Sequence, residues 1–258
     1  IQALTIPGTV KTIGNCVFDE CTSLTSLTYE PSPTGEALTH GYNDDSNDDG
    51  PFYASPLTSV NLDREINYTY ASSAANADEG LFGNKTSLAS VTLGEQVKTL
   101  HKYMFAGSGI TSLNLNKVET IKEFALAGVG FAELTIPGTV TTINNNVFRG
   151  CTNLATLTFQ SSESGAALTM GYDTYSEAEN LFQDNNKLAT LNLNREIIYT
   201  LDESSIDTNS EGLFGGISTL TNVTLGDQVK TLHKFMFAGT GIKSINLNKV
   251  TTIGNYAF

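Results

Sequence analysis

Hydrophobic and polar positions follow a short pattern that recurs along the whole chain. Its first part has the form L-x-x-L-x-L, as at residues 88–93, and ends in the alternation typical of a half-buried strand. A turn follows, and then a second extended piece such as residues 97–100. A Phe comes eight residues after the Val that begins this piece, as at Phe105. Each unit therefore predicts a strand, a turn, a returning extended segment and a short helical turn that carries the Phe inward.

About ten such units fill the sequence, and repeats of this size predict a stacked architecture in which neighbours bury a continuous core. We predict an α/β repeat solenoid of stacked parallel strands, formed as a single domain over residues 1–258. The units begin at Ile1, Leu24, Leu57, Leu88, Ile110, Phe131, Leu154, Leu188, Leu220 and Ile242.

The chain is also an internal duplication. Short and long units follow the same order in residues 1–130 and 131–258, which gives two tandem superrepeats of about 131 residues. The stretch at residues 91–121 returns at 223–253 with 25 of 31 positions identical. Because the sequence begins and stops within a unit, we expect it to be a fragment of a longer chain.

Two positions of the unit predict columns that run from repeat to repeat. The fifth strand position holds only Thr or Asn, so these side chains are placed to hydrogen-bond between neighbouring strands. The other column is a stack of aromatic rings in the core. It consists of Phe18, Phe52, Phe82, Phe105, Leu126, Phe148, Phe182, Phe214, Phe237 and Phe258.

One unit carries a family resemblance. The pattern L-T-I-P-x-x-V-x-T-I-x-x-x-x-F-x-x-C-x-x-L, present at residues 4–24 and 134–154, closely resembles the BspA-like leucine-rich repeats. These repeats occur in large surface proteins of gut and oral bacteria and of some parasitic protists. The resemblance implies a leucine-rich-repeat solenoid, a cell-surface location and adhesion to host proteins or other cells. The family carries no catalytic residues, so the resemblance implies none in this chain. The departures from it are four long units and Leu126 in place of Phe.

Composition narrows the class of partner. The formal net charge of −13 disfavours nucleic acid, because phosphate binding requires a basic surface. No apolar run approaches the roughly 18 residues that cross a bilayer, so no membrane-spanning segment is expected. The family resemblance implies a non-enzymatic, secreted or cell-surface protein that binds an extracellular host or microbial protein, and we expect a monomer.

The three cysteines do not predict a disulfide framework. Cys21 and Cys151 occupy equivalent positions five repeats apart, which places them roughly 24 Å from each other at about 4.8 Å per stacked strand. That separation is far beyond the span of about 7 Å that a disulfide can bridge. Cys16 and Cys21 flank Phe18, where they are either small buried hydrophobic residues or a local bridge or reactive thiol.

The four long units carry inserts at residues 30–50, 67–80, 161–185 and 198–211, which hold 17 of the 27 acidic residues and none of the 14 basic ones. Lengthening a surface loop costs only about 0.6 kcal/mol per doubling, so either recognition or tolerated drift explains them. The shared pattern R-E-I-x-Y-T, at residues 64–69 and 195–200, suggests a lengthened second strand.

Neighbouring inserts are predicted to stack into an acidic, Tyr-bearing surface. Tyr combines apolar area with a polar tip and is enriched at interfaces, so these rings are candidate ligand anchors. The alternative is that half of them cover the small core of the insert itself. The candidates are Tyr42, Tyr68, Tyr70, Tyr172, Tyr175 and Tyr199.

One insert resembles half of a calcium loop. Residues 45–50 read D-x-N-x-D-G, in which Asp45, Asn47 and Asp49 are candidate calcium ligands. The twelfth position is Pro56 rather than the bidentate Glu of a complete loop, so a solvated acidic loop is the alternative. No other cofactor is predicted. His101, which Lys102 follows at a turn, is interpreted as exposed.

Three functions remain compatible with these patterns. The first is adhesion to a protein through the strand face and the inserts, with avidity from repetition. The second is a structural spacer that projects another domain, which the uncharged Thr and Asn column favours. The third is a glycan-binding module that uses exposed Tyr on the inserts.

Overall fold

The computed structural model describes residues 1–41, 50–68, 77–171, 181–182, 184–199 and 212–258. The chain forms two compact units, Ile1–Val129 and Gly130–Phe258, and each of these units contains five of the ten sequence repeats. From here on, "unit" means one of these two halves, and "repeat" means one copy of the sequence pattern. Within each unit, short strands pair in parallel with the strand one repeat away, as the recurring pattern predicts.

The first unit contains two layers of parallel pairing, one for each extended piece of the repeat. The first pieces form the sheet β1-β3-β5-β7, and the second pieces form β2-β4-β6 and the pair β8-β9. These strands are β1 Ala3–Ile6, β2 Thr12–Ile13, β3 Ser26–Tyr29, β4 Leu38–His40, β5 Ser59–Leu62, β6 Ile66–Tyr68, β7 Ser90–Leu93, β8 Thr99–Leu100 and β9 Thr120–Ile121.

The second unit repeats this arrangement. Its first pieces form the sheet β10-β12-β14-β16, and its second pieces form the run β11-β13-β15 and the pair β17-β18. These strands are β10 Glu133–Ile136, β11 Thr142–Ile143, β12 Thr156–Phe159, β13 Leu168–Met170, β14 Thr190–Leu193, β15 Ile197–Tyr199, β16 Asn222–Leu225, β17 Thr231–Leu232 and β18 Thr252–Ile253.

Register within the sheets follows the repeat without slippage. Leu134 pairs with Leu157, Leu157 with Leu191 and Leu191 with Val223, so the same apolar position of each repeat lies on one face of the sheet. A shift by one residue would turn every such side chain to the solvent face, and the alternation therefore fixes the pairing. The predicted stacking of parallel strands is confirmed.

The predicted aromatic column forms the core of each unit. Ring centroids lie 4.7 Å apart between Phe18 and Phe52 and 5.5 Å apart between Phe52 and Phe82. In the second unit, the ring of Phe214 lies 5.7 Å from that of Phe237. These separations are close to the spacing of about 4.8 Å between neighbouring strands, so each repeat adds one ring to the stack.

The predicted helical turn is wrong in its detail. Within the described residues, one short 3-10 helix occurs, at Ala77–Glu79, and the Phe-bearing segments are turns. Most of these turns have a residue of positive φ two positions before or two positions after the ring, and such residues interrupt a right-handed helix. Examples are Cys16 (φ 57°) and Glu20 (φ 51°) around Phe18, and Asn146 (φ 57°) and Gly150 (φ 70°) around Phe148.

Glu20 provides a test of this account. A non-Gly residue in the left-handed region costs roughly 1–2 kcal/mol, part of which the greater chain entropy of Gly offsets. Replacing Glu20 with Gly, the residue at the matching position 150, is therefore expected to raise the free energy of unfolding by about 0.5–1 kcal/mol. Urea denaturation measures this change. The Glu30→Gly variant, at a position without positive φ, is expected to lose stability; an equal gain in both variants would contradict the explanation.

The fifth repeat of each unit departs from the prediction. The L-x-x-L-x-L stretches at residues 110–115 and 242–247 are not strands. In the second unit, Asn246 Oδ1 accepts a hydrogen bond from the backbone N–H of Asn248, which has a φ of 48°. Asn114 and Asn116 form the same local turn in the first unit, at 2.9 Å and φ 41°. This side-chain bond gives the backbone an alternative to strand pairing.

The three cysteines differ in burial, and so do Cys21 and Cys151, which share a repeat position. All three are thiols; Cys16 is exposed, Cys21 is half-buried and Cys151 is buried. The expectation of small buried hydrophobic residues is therefore wrong for Cys16.

Candidate functional site

A buried arginine of the first unit bonds to the described part of the first insert. Arg64 is 1% exposed, and it follows β5 in the pattern that opens the second insert. Its Nη1 donates to the carbonyl oxygens of Gly8 at 3.1 Å and Val10 at 2.8 Å, and its Nη2 donates to that of Glu36 at 3.1 Å. Burial lowers the pKa of Arg64, and the Glu36 carboxylate partly opposes this. One side chain thus joins three repeats and the root of the first insert.

The second unit buries an arginine at the matching position, but its hydrogen bonds go to the turn at residues 137–140, and its Nη2 has no partner among the described residues. Arg195 is fully buried, and its Nη1 donates to the carbonyl oxygen of Val140 at 2.8 Å. Its distances to the carbonyl oxygens of Pro137 and Gly138 are 3.4 and 3.5 Å. A Cβ on Gly138 would lie 2.2 Å from the carbonyl oxygen of Ser161, so only Gly lets the first turn approach the root of the insert.

A glutamine holds each first insert from two repeats away. Gln96 accepts a hydrogen bond from the Ser32 N–H at 2.9 Å and donates one to the Ser32 carbonyl at 2.9 Å. Gln228 makes the same pair of bonds to Ser162, at 3.0 and 2.8 Å. The primary amide imitates a neighbouring strand, because it supplies one donor and one acceptor to the same residue.

Replacing Gln96 with Ala is expected to lower the free energy of unfolding by about 1–2 kcal/mol, since both bonds to Ser32 are lost. Hydrogen exchange followed by mass spectrometry should show faster exchange at residues 31–38 in this variant. Gln228→Ala is the matched control and should affect residues 161–168 instead. Unchanged exchange at both roots would contradict the role assigned to these glutamines.

A carboxylate next to each buried arginine caps the following repeat. Glu65 Oε2 accepts hydrogen bonds from the N–H groups of Lys98 and Thr99, at 2.5 and 3.2 Å, and Oε1 lies 3.8 Å from Nε2 of His101. Burial raises the pKa of Glu65, but the nearby His101 ring and the hydrogen bonds from the N–H groups of Lys98 and Thr99 outweigh it and leave the pKa below its usual value. His101 is 8% exposed, so its interpretation as an exposed turn residue is wrong.

Two of the six candidate tyrosines lie within the described residues. Tyr68 ends β6, is 6% exposed and meets the ring of His40 edge-on at 6.2 Å. Tyr199 ends β15, is half-buried and lies 4.4 Å from the ring of His233. Tyr68 therefore packs against His40, and little of its side chain faces solvent. The predicted anchors at Tyr42, Tyr70, Tyr172 and Tyr175 lie outside the described residues and remain predictions.

The candidate calcium ligands Asp45, Asn47 and Asp49 also lie outside the described residues. In the part of the chain that the structure describes, no three His, Cys, Asp or Glu side chains are grouped closely enough to hold a metal ion. If residues 45–50 bind calcium, excess calcium should raise the melting temperature and a chelator should reverse the change. An unchanged melting curve in excess calcium would favour the solvated acidic loop.

The outer face of each strand sheet is polar and uncharged over most of its area. Ser59 donates a hydrogen bond to Ser26 at 3.1 Å, and Asn192 Nδ2 donates to Thr158 Oγ1 at 3.1 Å. The second of these bonds lies in the predicted Thr and Asn column and confirms bonding between neighbouring repeats. None of the described helices is long and apolar enough to cross a membrane.

Sequence reasoning missed the buried arginines and the glutamine pair. The signal for the arginines was present in the pattern R-E-I-x-Y-T, which was assigned only to strand lengthening. For the glutamines, the signal was the Gln that occurs in both copies of the G-[ED]-Q-V turn, as Gln96 and Gln228. Both residue types are ordinarily exposed, so their burial depends on carbonyl groups supplied by distant repeats.

The whole chain matches the model of one protein family. The model of the BspA type leucine rich repeat region, which spans six copies, matches residues 1–76, 75–197 and 176–258. None of the curated proteins compared matches the sequence significantly.

Several solved structures are similar to this chain at low identity. A leucine-rich repeat protein from Bacteroides ovatus is 20% identical over 97% of this chain and 68% of its own, with a TM-score of 0.48. One from Eubacterium ventriosum is 16% identical over 100% of this chain and 82% of its own, with a TM-score of 0.49. A leucine rich cell surface protein from Faecalibacterium prausnitzii is 22% identical over 100% of this chain and 70% of its own, with a TM-score of 0.41.

Proposed function

The chain belongs to the BspA-type leucine-rich repeat family, and from that premise we propose that it is a non-enzymatic extracellular module that binds a host or microbial protein. The paired inserts and the polar strand face would form the binding surface. The mechanism is contact over an extended, preorganised surface that is repeated in the two units, so that avidity supplements weak individual contacts.

The main support for this proposal is the set of hydrogen bonds that hold the described ends of the inserts. A loop that persists by drift requires no buried side chain to hold it, and burial of a charged group costs free energy unless its hydrogen bonds are satisfied. In the first unit a buried arginine nevertheless bonds to the Glu36 carbonyl of the first insert, and in both units a glutamine makes two hydrogen bonds to the start of an insert. Fixing the root lowers the entropy that a loop loses on binding, which favours recognition over drift.

The charge of the inserts suggests the kind of protein surface that is bound. The insert segments hold 17 acidic residues and no basic ones, whereas the outer strand face is mostly neutral. Such a distribution attracts a basic surface and speeds association with it, particularly at low ionic strength. A partner with a Lys- or Arg-rich face is therefore favoured.

The neutral strand face also fits a second function, that of a spacer that projects another domain. Ser, Thr and Asn side chains on this face bond to each other, and large aromatic anchors are scarce on it. Interfaces are usually enriched in Tyr, Trp and Arg at their centres. Under this alternative the inserts would add bulk without specificity.

An insert-replacement experiment distinguishes these functions. Residues 42–49, 69–76, 172–180 and 200–211 are replaced by short Gly-Ser linkers, which leaves the described roots intact. Immobilised wild-type chain is expected to capture proteins from host-cell-surface and microbial extracts, and the variant is expected to lose them while it keeps its melting temperature. Equal capture by both would refute the assignment to inserts, and no capture by either would favour the spacer. Capture on a glycan array would instead support a glycan-binding module.

A further inference from the structure

The strand sheet of the second unit opens beside β16. Among the described residues, no backbone hydrogen bond joins residues 221–225 to residues 243–247 of the next repeat. At one end, Asn248 Nδ2 donates to the carbonyl oxygen of Leu225 at 3.2 Å. At the other end, Gly241 approaches the preceding repeat so closely that a Cβ on it would lie 2.4 Å from a carbonyl oxygen there. The opening is therefore a bounded cleft, which admits a compact ligand but no added strand.

The cleft has a volume of about 510 Å³, and residues 221–224 and 244–246 line it. That volume is within the range of about 300–1,000 Å³ that is usual for ligand sites. Val223 and Ile245, on opposite sides, are half-buried, whereas the register partners of Val223 in the two preceding repeats are fully buried leucines. The cleft thus presents one aliphatic side chain on each side, among Thr, Asn and Ser side chains.

The carbonyl oxygen of Thr221 lacks the donors that its equivalents receive. In the three preceding repeats of this unit, the equivalent carbonyl oxygens, on Ala132, Ala155 and Ala189, each accept two N–H groups from the next repeat. Among the described residues, no backbone N–H donates to the carbonyl oxygen of Thr221. The repeat register directs this oxygen toward the cleft, where the hydroxyl groups of a bound molecule can replace the missing donors.

Val223 supplies a donor and a further acceptor on the same side. The Leu225 carbonyl, two positions later on β16, faces the cleft, because it accepts the hydrogen bond from Asn248. Residues two apart on a strand direct their backbone groups to the same side, so the N–H and carbonyl groups of Val223 also face the cleft. Thr224 and Ser244 add hydroxyl groups to the lining. The cleft therefore offers both donors and acceptors to one small molecule.

No charged side chain is among the described residues that line the cleft. The acidic group at its closed end, Asp227, already accepts a hydrogen bond from Asn248 Nδ2 at 2.7 Å. A charged ligand would leave water without gaining a counter-charge, which costs free energy. A sugar is neutral, each of its hydroxyl groups both donates and accepts hydrogen bonds, and its C–H groups suit the aliphatic side chains. These properties favour a neutral sugar as the occupant.

The first unit opens at the same place with a less polar lining. The N–H groups of residues 111–115 make no backbone hydrogen bond to β7 among the described residues. Ala89 and Ser90 occupy the positions of Thr221 and Asn222. The first opening thus lacks a hydroxyl and an amide that the second contains, and it provides a comparison within the same chain.

We propose that the cleft between β16 and residues 243–247 binds a neutral sugar, either free or at the end of a glycan. The carbonyl oxygens of Thr221 and Val223 accept its hydroxyl protons, and Val223 and Ile245 contact its C–H groups. The site is separate from the inserts and does not rest on the proposed adhesion function. The insert-replaced variant is therefore expected to keep sugar binding, whatever the fate of protein capture.

Saturation-transfer difference NMR with the full chain tests the proposal. The probes are the methyl glycosides of glucose, galactose, mannose, fucose and N-acetylglucosamine, and the charged comparisons are the matching uronic acids and glucosamine. We expect at least one neutral sugar to bind, and to bind at least about tenfold more tightly than its charged counterpart. Capture of the chain by immobilised glycans that end in this sugar would identify a glycan end as the source. Absence of binding by every neutral sugar, or equal binding of the charged counterpart, would overturn the proposal.

Matched variants locate the site. Ser244→Leu fills the cleft from an exposed position and is expected to weaken binding at least about tenfold, whereas Ser112→Leu, at the equivalent position of the first unit, is expected to leave it unchanged. Thr221→Ala combined with Asn222→Ser gives the second cleft the side chains of the first and should also weaken binding. All these side chains are exposed, so the melting temperature should stay the same. Equal weakening by Ser112→Leu, or unchanged affinity in both second-unit variants, would refute the assignment.

Discussion

Replacing Arg64 with Met is expected to lower the free energy of unfolding by about 3 kcal/mol. The substitution keeps most of the side-chain volume but leaves the carbonyl oxygens of Gly8, Val10 and Glu36 without their donor. Each unsatisfied buried acceptor costs about 1–3 kcal/mol, and relief of the desolvation of the guanidinium returns part of the sum. Urea denaturation at neutral pH measures the difference between the variant and the wild type.

Arg195→Met supplies a matched comparison within the same chain. Two of the three Arg195 contacts are 3.4 and 3.5 Å long, so fewer strong bonds are lost and we expect a loss of about 2 kcal/mol. Arg64→Lys should fall between wild type and Met, because an ammonium cannot span the three carbonyl oxygens as a planar guanidinium does. A loss below about 1 kcal/mol in both Met variants would show that water replaces the guanidinium.

The arginine also shows where sequence reasoning succeeds and where it stops. Strand pairing, register and the aromatic column depend on residues one repeat apart, and the period of the pattern therefore predicts them. Arg64 bonds to residues 54 and 56 positions earlier in the chain, and no local pattern encodes that distance. Its burial depends on carbonyl groups that distant repeats supply, and the sequence pattern does not show which repeats these are.

The opening beside β16 illustrates a second kind of failure. Residues 242–247 match the strand pattern as well as residues 24–29 do, so periodicity predicts a strand in both. In the structure, Asn246 Oδ1 instead accepts a hydrogen bond from the backbone N–H of Asn248, whose φ is 48°. The most regular stretch of the sequence thus contains the least regular strand pairing, and periodicity alone does not predict this local turn.

Acidification is expected to destabilise the protein through His40. Its side chain is 1% exposed, and its Nδ1 lies 2.7 Å from the carbonyl oxygen of Gly41, to which it donates. The Nε2 atom has no hydrogen-bond partner and faces the rings of Phe18, Phe52 and Tyr68. Burial lowers the pKa of His40 from 6.5 to about 4, because a charged imidazole would lie among these rings without an acceptor.

The sign of the effect follows from which state binds the proton. Above pH 6.5 His40 is neutral in both states, and stability is at its full value. Between pH 6.5 and about 4 the unfolded chain binds a proton that the folded protein does not, so the free energy of unfolding falls as the pH falls. A difference of about 2.5 pKa units corresponds to a loss of about 3 kcal/mol, complete near pH 4.

The second unit contains the control for this prediction. Met170 occupies the strand position that matches His40 and is fully buried, so His40→Met introduces a side chain that the same environment accepts. Denaturation of the wild type and the variant between pH 7.5 and 4 should give curves that diverge as the pH falls, with the variant less sensitive by about 3 kcal/mol. The difference between the curves removes the contributions of carboxylates such as Glu65, which both proteins share. Parallel curves would mean that His40 is protonated in the folded state and that a bound water or a shift of Tyr68 supplies the missing acceptor.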